Sequence, residues 1–338
     1  MNLTLRSVFT ISLCLFSHFY SFGQKKEATD RKIHEYLDKY SPENSEMLRL
    51  LYSLPSKYQL NGITINLTKE QAPSFWVSDH SEKGILKRLN TVVHESMHGL
   101  TSRLPYTLLK ERGDSYYSFK DSYSAFYVNR DSSFLVKHSP VFSSNRISDE
   151  IPKALRTFRF KPYIAPRSKI LGSQANGIYG LADEWNAYYF GTKTAFDLFD
   201  YYKSKSSQNH EIYLEYVSNI AGTYYAYYEF KYFILKYLEY AKLNEKEVYD
   251  GIMANFEFRK VFTSIDNRFA DLLHQFEERL DEIANVTEEN TKGSAYIEDG
   301  YYFINGNGVG LFTEEVEMLK AELEKPNLKA LELELRVG

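Results

Sequence analysis

Cysteine is almost missing from this chain: one residue of 338, Cys14, carries a thiol. It sits inside an N-terminal apolar stretch that reads as a leader. Removal of that leader leaves no cysteine, which excludes a disulfide framework and any thiolate metal site in the mature chain. Charge of one sign is missing too. Forty-one Lys and Arg against 45 Asp and Glu give a formal net charge of -4, so the global footprint of a nucleic-acid or anionic-membrane binder is absent. Beyond the leader no run is apolar enough to span a bilayer. There is no internal repeat and no low-complexity linker. Asn305-Gly306-Asn307-Gly308 lacks the spacing of a phosphate cradle and reads as a turn. Aromatics, by contrast, are plentiful, with 29 Tyr and 23 Phe, and suit amphipathic core packing and cleft walls.

Residues 1–23 have the layout of a secretory signal peptide. Arg6 supplies the positive start, residues 8–22 are mostly apolar but interrupted by Ser and Thr, and Ser21-Phe22-Gly23 places small residues before a cut ahead of Gln24. Leu13 before Cys14 is a poor lipobox residue. The expected product is a secreted or periplasmic protein with no transmembrane segment in the mature chain.

The stretch with chemistry in it is Thr91-Val92-Val93-His94-Glu95-Ser96-Met97-His98-Gly99-Leu100. It contains His-Glu-x-x-His, the zinc-peptidase signature. On a helix, residues i and i+4 lie one above the other, so His94 and His98 can aim two imidazoles at one metal. Glu95 is turned about 100° from His94, beside the metal rather than on it, where a base acting on water belongs. Ile85, Leu86, Leu89, Val92, Val93, Met97 and Leu100 recur at three and four and fall on the opposite side. Asp79 and Glu82 read as a capping box at the helix start.

Around this helix the expected elements are these. Residues 25–53 are helical with a break at Ser41-Pro42-Glu43, 62–68 form a half-buried strand, and 125–128 with 134–136 form a hairpin. Residues 139–167 are Pro-, Ser- and Arg-rich loop with a short helix near 149–158, and 173–177 are loop. Helix runs from Ile178 towards Tyr202, again over 211–243 and 244–283, and last from Thr313 to a stop before Pro326. Residues 296–303 make a hairpin on the Asp299-Gly300 turn.

Catalytic zinc takes three protein ligands and keeps one open position. A third His six residues after the second is ruled out, because that place is Leu104. An acid on a later helix is the other route, and Asp183-Glu184-Trp185-Asn186-Ala187-Tyr188-Tyr189 is the best candidate. This segment resembles the Asn-Glu-x-x-Ala-x-Tyr stretch of aminopeptidase-type gluzincins, with Glu184 at the ligand position. With His94, Glu95 and His98 the chain therefore resembles a gluzincin, a zinc metallopeptidase of the thermolysin-like zincin superfamily. The resemblance covers two short segments. Three departures stand: the gap between His98 and Glu184 is long, Tyr188 occupies the place where the thermolysin pattern carries Asp, and no Gly-x-Met-Glu-Asn stretch precedes the motif.

The resemblance implies zinc held by His94, His98 and Glu184, with Asp183 as the first substitute, and Glu95 as general base. It implies a peptide or protein substrate, with a Tyr or His supporting the oxyanion; Tyr188, Tyr189 and the 224–228 cluster are candidates. The expected fold is α+β and predominantly helical, with a small mixed sheet. Residues 24–205 would form a zincin-like catalytic domain and 206–338 a mainly helical lobe. The alternatives are an inactive zincin-fold binding protein and a non-peptidase zinc hydrolase. A carboxylate-bridged di-iron bundle built on Glu95-x-x-His98 and Asp271-x-x-His274 lacks its four-helix context and leaves His94 without a role. His34, His80, His138 and His210 read as surface or loop residues. N-terminal sequencing of the exported chain is expected to start at or near Gln24; a soluble cytoplasmic product that retains Met1 would overturn the export reading.

Overall fold

The computed structural model describes residues 25–336 apart from 208 and 292. The leader and its cleavage site lie outside the described residues. The helical residues 25–40 (α1) stop at Ser41, and α2 (Pro42–Ser53) starts on a proline at its first turn. The break falls where the Ser-Pro-Glu triplet puts it, because proline has no amide to continue a helix and suits its first turn.

The motif helix is α3 (Glu82–Arg112). Its N-cap is Ser81, whose hydroxyl accepts from the Gly84 amide at 3.1 Å. Asp79 is not the cap; it accepts from the Ser81 amide at 2.9 Å and so braces the capping residue. Glu82 therefore falls inside the helix rather than in a capping box. At the other end Gly113 adopts φ +112°, a conformation open to glycine, and its amide bonds to the carbonyls of Leu109 and Lys110. Between the caps Ile85, Leu89, Val92, Val93, Met97 and Leu100 have no exposed surface. Each such aliphatic side chain contributes about 1.5–3 kcal/mol on burial, which outweighs the weak helix propensity of the paired valines.

Beyond α3 come a hairpin, a set of short turns, and then more helices. The early hairpin is β1 (Lys57–Leu60) and β2 (Ile63–Asn66), of which the sequence pattern indicates only the second strand. The later one is β3 (Tyr123–Asn129) and β4 (Ser132–Lys137), with β3 packed on α3. The expected helix near 149–158 is replaced by 3-10 turns at Ser144–Glu150 and Lys153–Leu155 and one α-turn, α4 (Phe160–Tyr163). Pro152 and Pro162 break the segment too often for a longer helix. The supposed loop at 173–177 contains α5 (Gly172–Ala175) and runs straight into α6 (Gly177–Asp197).

α7 (Phe199–Lys205), α8 (Ile212–Ala221), α9 (Ala226–Asn244), α10 (Lys246–Met253) and α11 (Phe256–Thr291) follow. The expected single run over 211–243 is thus two helices. β5 (Ala295–Glu298), β6 (Tyr301–Ile304) and β7 (Asn307–Gly310) come next, then α12 (Thr313–Leu323) and α13 (Pro326–Leu335). Pro326 ends one helix and starts another, so the chain carries a terminal helix that the stop signal alone does not reveal.

The fold is α+β and predominantly helical, as expected, but the sheet is not mixed. Strands form three separate antiparallel sheets, and no described strand pairs in parallel. Parallel pairing needs a long crossover, whereas Asn61-Gly62, Asp299-Gly300 and Asn305-Gly306 all adopt positive φ at both positions, the tight hairpin turn. The larger of two apolar clusters runs from Ile33 to Leu335, the smaller gathers Tyr58, Leu60, Leu109 and Leu135, and α9 and α11 pack on α6 across the expected boundary near 205. No helix among the described residues is long and apolar enough to cross a membrane.

What positions the site is the packing of α6 on α3. A Cβ at Gly191 would meet the Asn90 backbone oxygen at 3.0 Å and the His94 Cβ at 3.4 Å. Backbone cannot yield as a side-chain tip can. Gly191→Val is expected to lower the unfolding free energy by about 1–3 kcal/mol through overpacking. Gly222→Ala, where the nearest atom is 3.8 Å away, serves as the control with little change. Urea denaturation followed by circular dichroism checks both.

Candidate metal centre

α3 carries His94, Glu95 and His98 on the side turned away from its buried valines. α6 brings Glu184, Ala187, Tyr188 and Gly191, spaced i, i+3, i+4 and i+7 and so on one stripe. His98 Nε2 lies 3.2 Å from His94 Nε2 and 3.4 Å from Glu184 Oε2. His94 Nε2 to Glu184 Oε2 is 3.7 Å. Ligand bonds of roughly 2.0–2.1 Å at the tetrahedral angle put donor atoms about 3.3 Å apart, and the three edges fit that spacing. Among the described residues these three form the one group of His, Cys, Asp or Glu able to hold a metal ion.

The donor set shows a second sign. Glu184 is buried, at 7% exposure, yet its Oε2 has no hydrogen-bond partner. Buried polar atoms are nearly always satisfied, and this one is aimed at two imidazole nitrogens. Two neutral imidazoles and one carboxylate suit zinc.

Asp183, the substitute ligand expected from the sequence, takes a different place. Its Oδ2 lies 2.8 Å from His98 Nδ1. Adjacent helical residues point about 100° apart, so only one of the two acids can face the Nε2 atoms. With Nδ1–H donating to Asp183, the His98 Nε2 lone pair is left for a metal, and the ring is fixed in orientation. Tyr188 stands where the thermolysin pattern has its Asp, and Asp183 orients a histidine from the other side of Glu184.

The electrostatics follow from burial and these contacts. Burial holds His94 well below the usual imidazole range, helped by the positive charges of His98 and Arg159 and opposed by a hydrogen bond to the Ala187 backbone. Burial works against a charged His98 as well, but Asp183 and Glu184 outweigh it and hold His98 well above that range. Carboxylates that favour a proton on His98 also favour a metal cation at the same place. Glu95 is raised above the usual carboxylate value, first by burial and then by Glu184, with His98 opposing.

Of the tyrosine candidates, Tyr188 is at the site. Its ring lies edge-on to His94 with centroids 4.5 Å apart. Tyr189 points elsewhere, against Phe190 and Phe269, under the guanidinium of Arg268. In the 224–228 cluster, Tyr224 bonds to the Leu311 carbonyl and Tyr227 to Asp266. Sequence reasoning misses Tyr163 and Arg159. The Tyr163 hydroxyl is 3.1 Å from that of Tyr188, and burial, Glu184 and Tyr188 all raise its pKa. Arg159 is buried and paired with Glu229 at 2.6 Å, with its guanidinium 4.2 Å from the Tyr188 ring centroid. Both come from the irregular 139–171 segment, which has no periodic signal.

The other histidines do not join the centre. His210 is buried rather than on the surface. His138 is half-buried, stacked on Tyr179 at 4.2 Å and bonded to Ser124, and burial lowers it to about 4. His34 and His80 are partly exposed, as expected. Asp271 and His274 are exposed and bond along their own helix to Gln275 and Glu278, so the second Asp-x-x-His pair assembles nothing with α3. Clefts of about 540 and 870 Å³ lie elsewhere, lined by residues such as Lys83 and Tyr202 in one and Tyr52 and Glu70 in the other. At the centre the His98 and Asp183 side chains are 26% and 22% exposed, against 12% and 10% for His94 and Glu184.

In comparisons with protein-family models, with curated proteins and with solved structures, nothing matches this chain. The geometry stands on its own residues. Glu184→Ala is expected to reduce zinc affinity more than Asp183→Asn, which should lose about 10–100-fold. Competition against a chromophoric chelator measures both; the reverse order would exchange the roles assigned to the two acids.

Proposed function

We propose that this chain is a secreted zinc-dependent metallopeptidase. The observation that supports this best is the convergence of His94 Nε2, His98 Nε2 and Glu184 Oε2 with edges of 3.2–3.7 Å, beside a carboxylate on the next residue of the motif. His94, His98 and Glu184 would hold the ion. Zinc, when bound, supplies a Lewis acid that brings the ionisation of water near neutral pH and polarises a carbonyl.

The chain's own groups do the rest. Glu95, with its pKa raised mainly by burial, accepts the proton of the attacking water and passes it to the leaving amine. The raised value favours the first step, because a carboxylate with a raised pKa is the stronger base. Asp183 keeps His98 in one tautomer and one orientation. The paired hydroxyls of Tyr163 and Tyr188 form a donor that can meet the negative charge growing on the substrate carbonyl oxygen. Arg159 over the Tyr188 ring keeps that wall from turning.

A scaffold that had given up catalysis has no need of Glu95 at its motif position, which favours an enzyme over a binding protein. Glu95→Gln removes the base and spares the ligands. Zinc content of the purified variant is expected to equal that of the wild type, while peptide turnover falls by about 10²–10⁴-fold. A variant as active as the wild type in a peptide-library digest would overturn the role of Glu95.

A further inference from the structure

The segment that delivers Tyr163 has an unusual charge. From Ile151 to Ala182 there are six Lys or Arg and no Asp or Glu, in a chain whose net charge is -4. Two of the six are accounted for: Arg159 is paired with Glu229, and Lys153 lies in the turn that packs on the acid-bearing α12. The remaining four, Arg156, Lys161, Arg167 and Lys169, are exposed. None of them forms an ion pair among the described residues. The Arg156 guanidinium, however, donates to the Ile151 and Ser148 carbonyls and lies over the Phe160 ring, so the cations left for a ligand are Lys161, Arg167 and Lys169. Phe158 and Ile170, near them in sequence, are 71% and 96% exposed.

These cations flank a fixed point. The Ile164 and Ala165 carbonyls accept from Asn145 at 3.2 and 2.9 Å, and Gln174 bonds to the Tyr163 carbonyl. Tyr163 in turn meets Tyr188 at the proposed reaction centre. Lys161 is two residues before Tyr163 and Arg167 four after it. At no more than roughly 3.3–3.6 Å per residue, their Cα atoms lie within about 7 and 14 Å of that of Tyr163.

We infer that this rim binds acidic polypeptide segments with apolar residues between the acids, and so sets the substrate class of the site. The inference rests on the peptidase reading for its consequence, though not for the binding itself. An extended substrate advances about 3.3 Å per residue, so substrate residues roughly two to four positions from the reacting bond lie at distances comparable to those of the cations. Exposed charges act over a Debye length of about 8–10 Å. A short acidic side chain therefore feels the local rim, whereas a long polyanion such as a nucleic acid also meets the negative remainder of the chain. Phe158 and Ile170 offer apolar contact to the residues between the acids.

The test is fluorescence anisotropy with the full chain and three labelled peptides of one length: alternating Glu/Leu, Gln/Leu and Lys/Leu. The Glu/Leu peptide is expected to bind at least about tenfold tighter than the Gln/Leu peptide at low salt, with the gap closing as salt rises. The triple variant Lys161→Glu, Arg167→Glu, Lys169→Glu is expected to abolish the preference. These side chains are exposed, and the matching triple change to Gln gives an intermediate result without a new repulsion. Equal binding of the three peptides would overturn the inference. So would stronger retention on phosphatidylglycerol vesicles or on single-stranded RNA than on the Glu/Leu peptide, lost in the same variant. If the Glu/Leu preference holds and no peptide is cleaved, the rim stands and the peptidase reading falls.

Discussion

Everything at the centre depends on how closely α6 approaches α3. Gly191 sits against the Asn90 carbonyl and the His94 Cβ. Without a side chain at 191 and with only a methyl group at 187, the two helices come near enough for Glu184 to reach imidazoles on α3. The other faces of the two helices are buried against the rest of the core, Val92, Val93 and Met97 on one and Trp185, against Tyr227 and Phe262, on the other. The packing is generic, and the registration is not. A shift of one turn along α3 moves a side chain by about 5.4 Å, more than the whole edge of the ligand triangle.

The charges explain why such a polar group can sit inside that packing. Glu184 and Asp183 are adjacent in sequence but serve two different nitrogens of the histidine pair, one at the shared Nε2 position and one at His98 Nδ1. Behind His94 lies the opposite sign, the buried Arg159 with its Glu229 partner. A buried pair of this kind is costly to break, at about 3–5 kcal/mol when one partner is removed. It therefore holds the Tyr188 wall in place more firmly than apolar contact alone. The catalytic reading asks for this rigidity, since a donor displaced by an ångström loses most of its effect.

Much of this arrangement is legible in the amino-acid sequence alone. The i, i+4 histidines define the face of α3, the apolar stripe defines its buried side, and the Asp-Gly turn locates a hairpin, because each is a local rule with a fixed period. The choice between Asp183 and Glu184 is not legible: it turns on which way α6 is rotated against α3, a tertiary fact. Tyr163 and Arg159 are invisible for a stronger reason. They lie in proline-interrupted chain without periodicity, and side-chain bonds from Asn145, Gln174 and Glu229 hold them in place over distances of 11 to 70 residues. Pro326 misleads in the opposite sense, since the same residue that stops one helix opens the next. The mixed sheet fails because three short Asn-Gly or Asp-Gly turns and the Arg130-Asp131 turn between β3 and β4 pair every described strand with its neighbour in sequence.

The central claim is that His94, His98 and Glu184 together hold one zinc ion. Crystals of the protein grown with zinc, and measured on both sides of the zinc absorption edge, test it directly. The account predicts a single strong anomalous peak about 2.0–2.2 Å from His94 Nε2, His98 Nε2 and a Glu184 oxygen, with Asp183 remaining on His98 Nδ1. A peak coordinated by Asp183 with Glu184 turned away, or no peak between the two imidazoles, would contradict it.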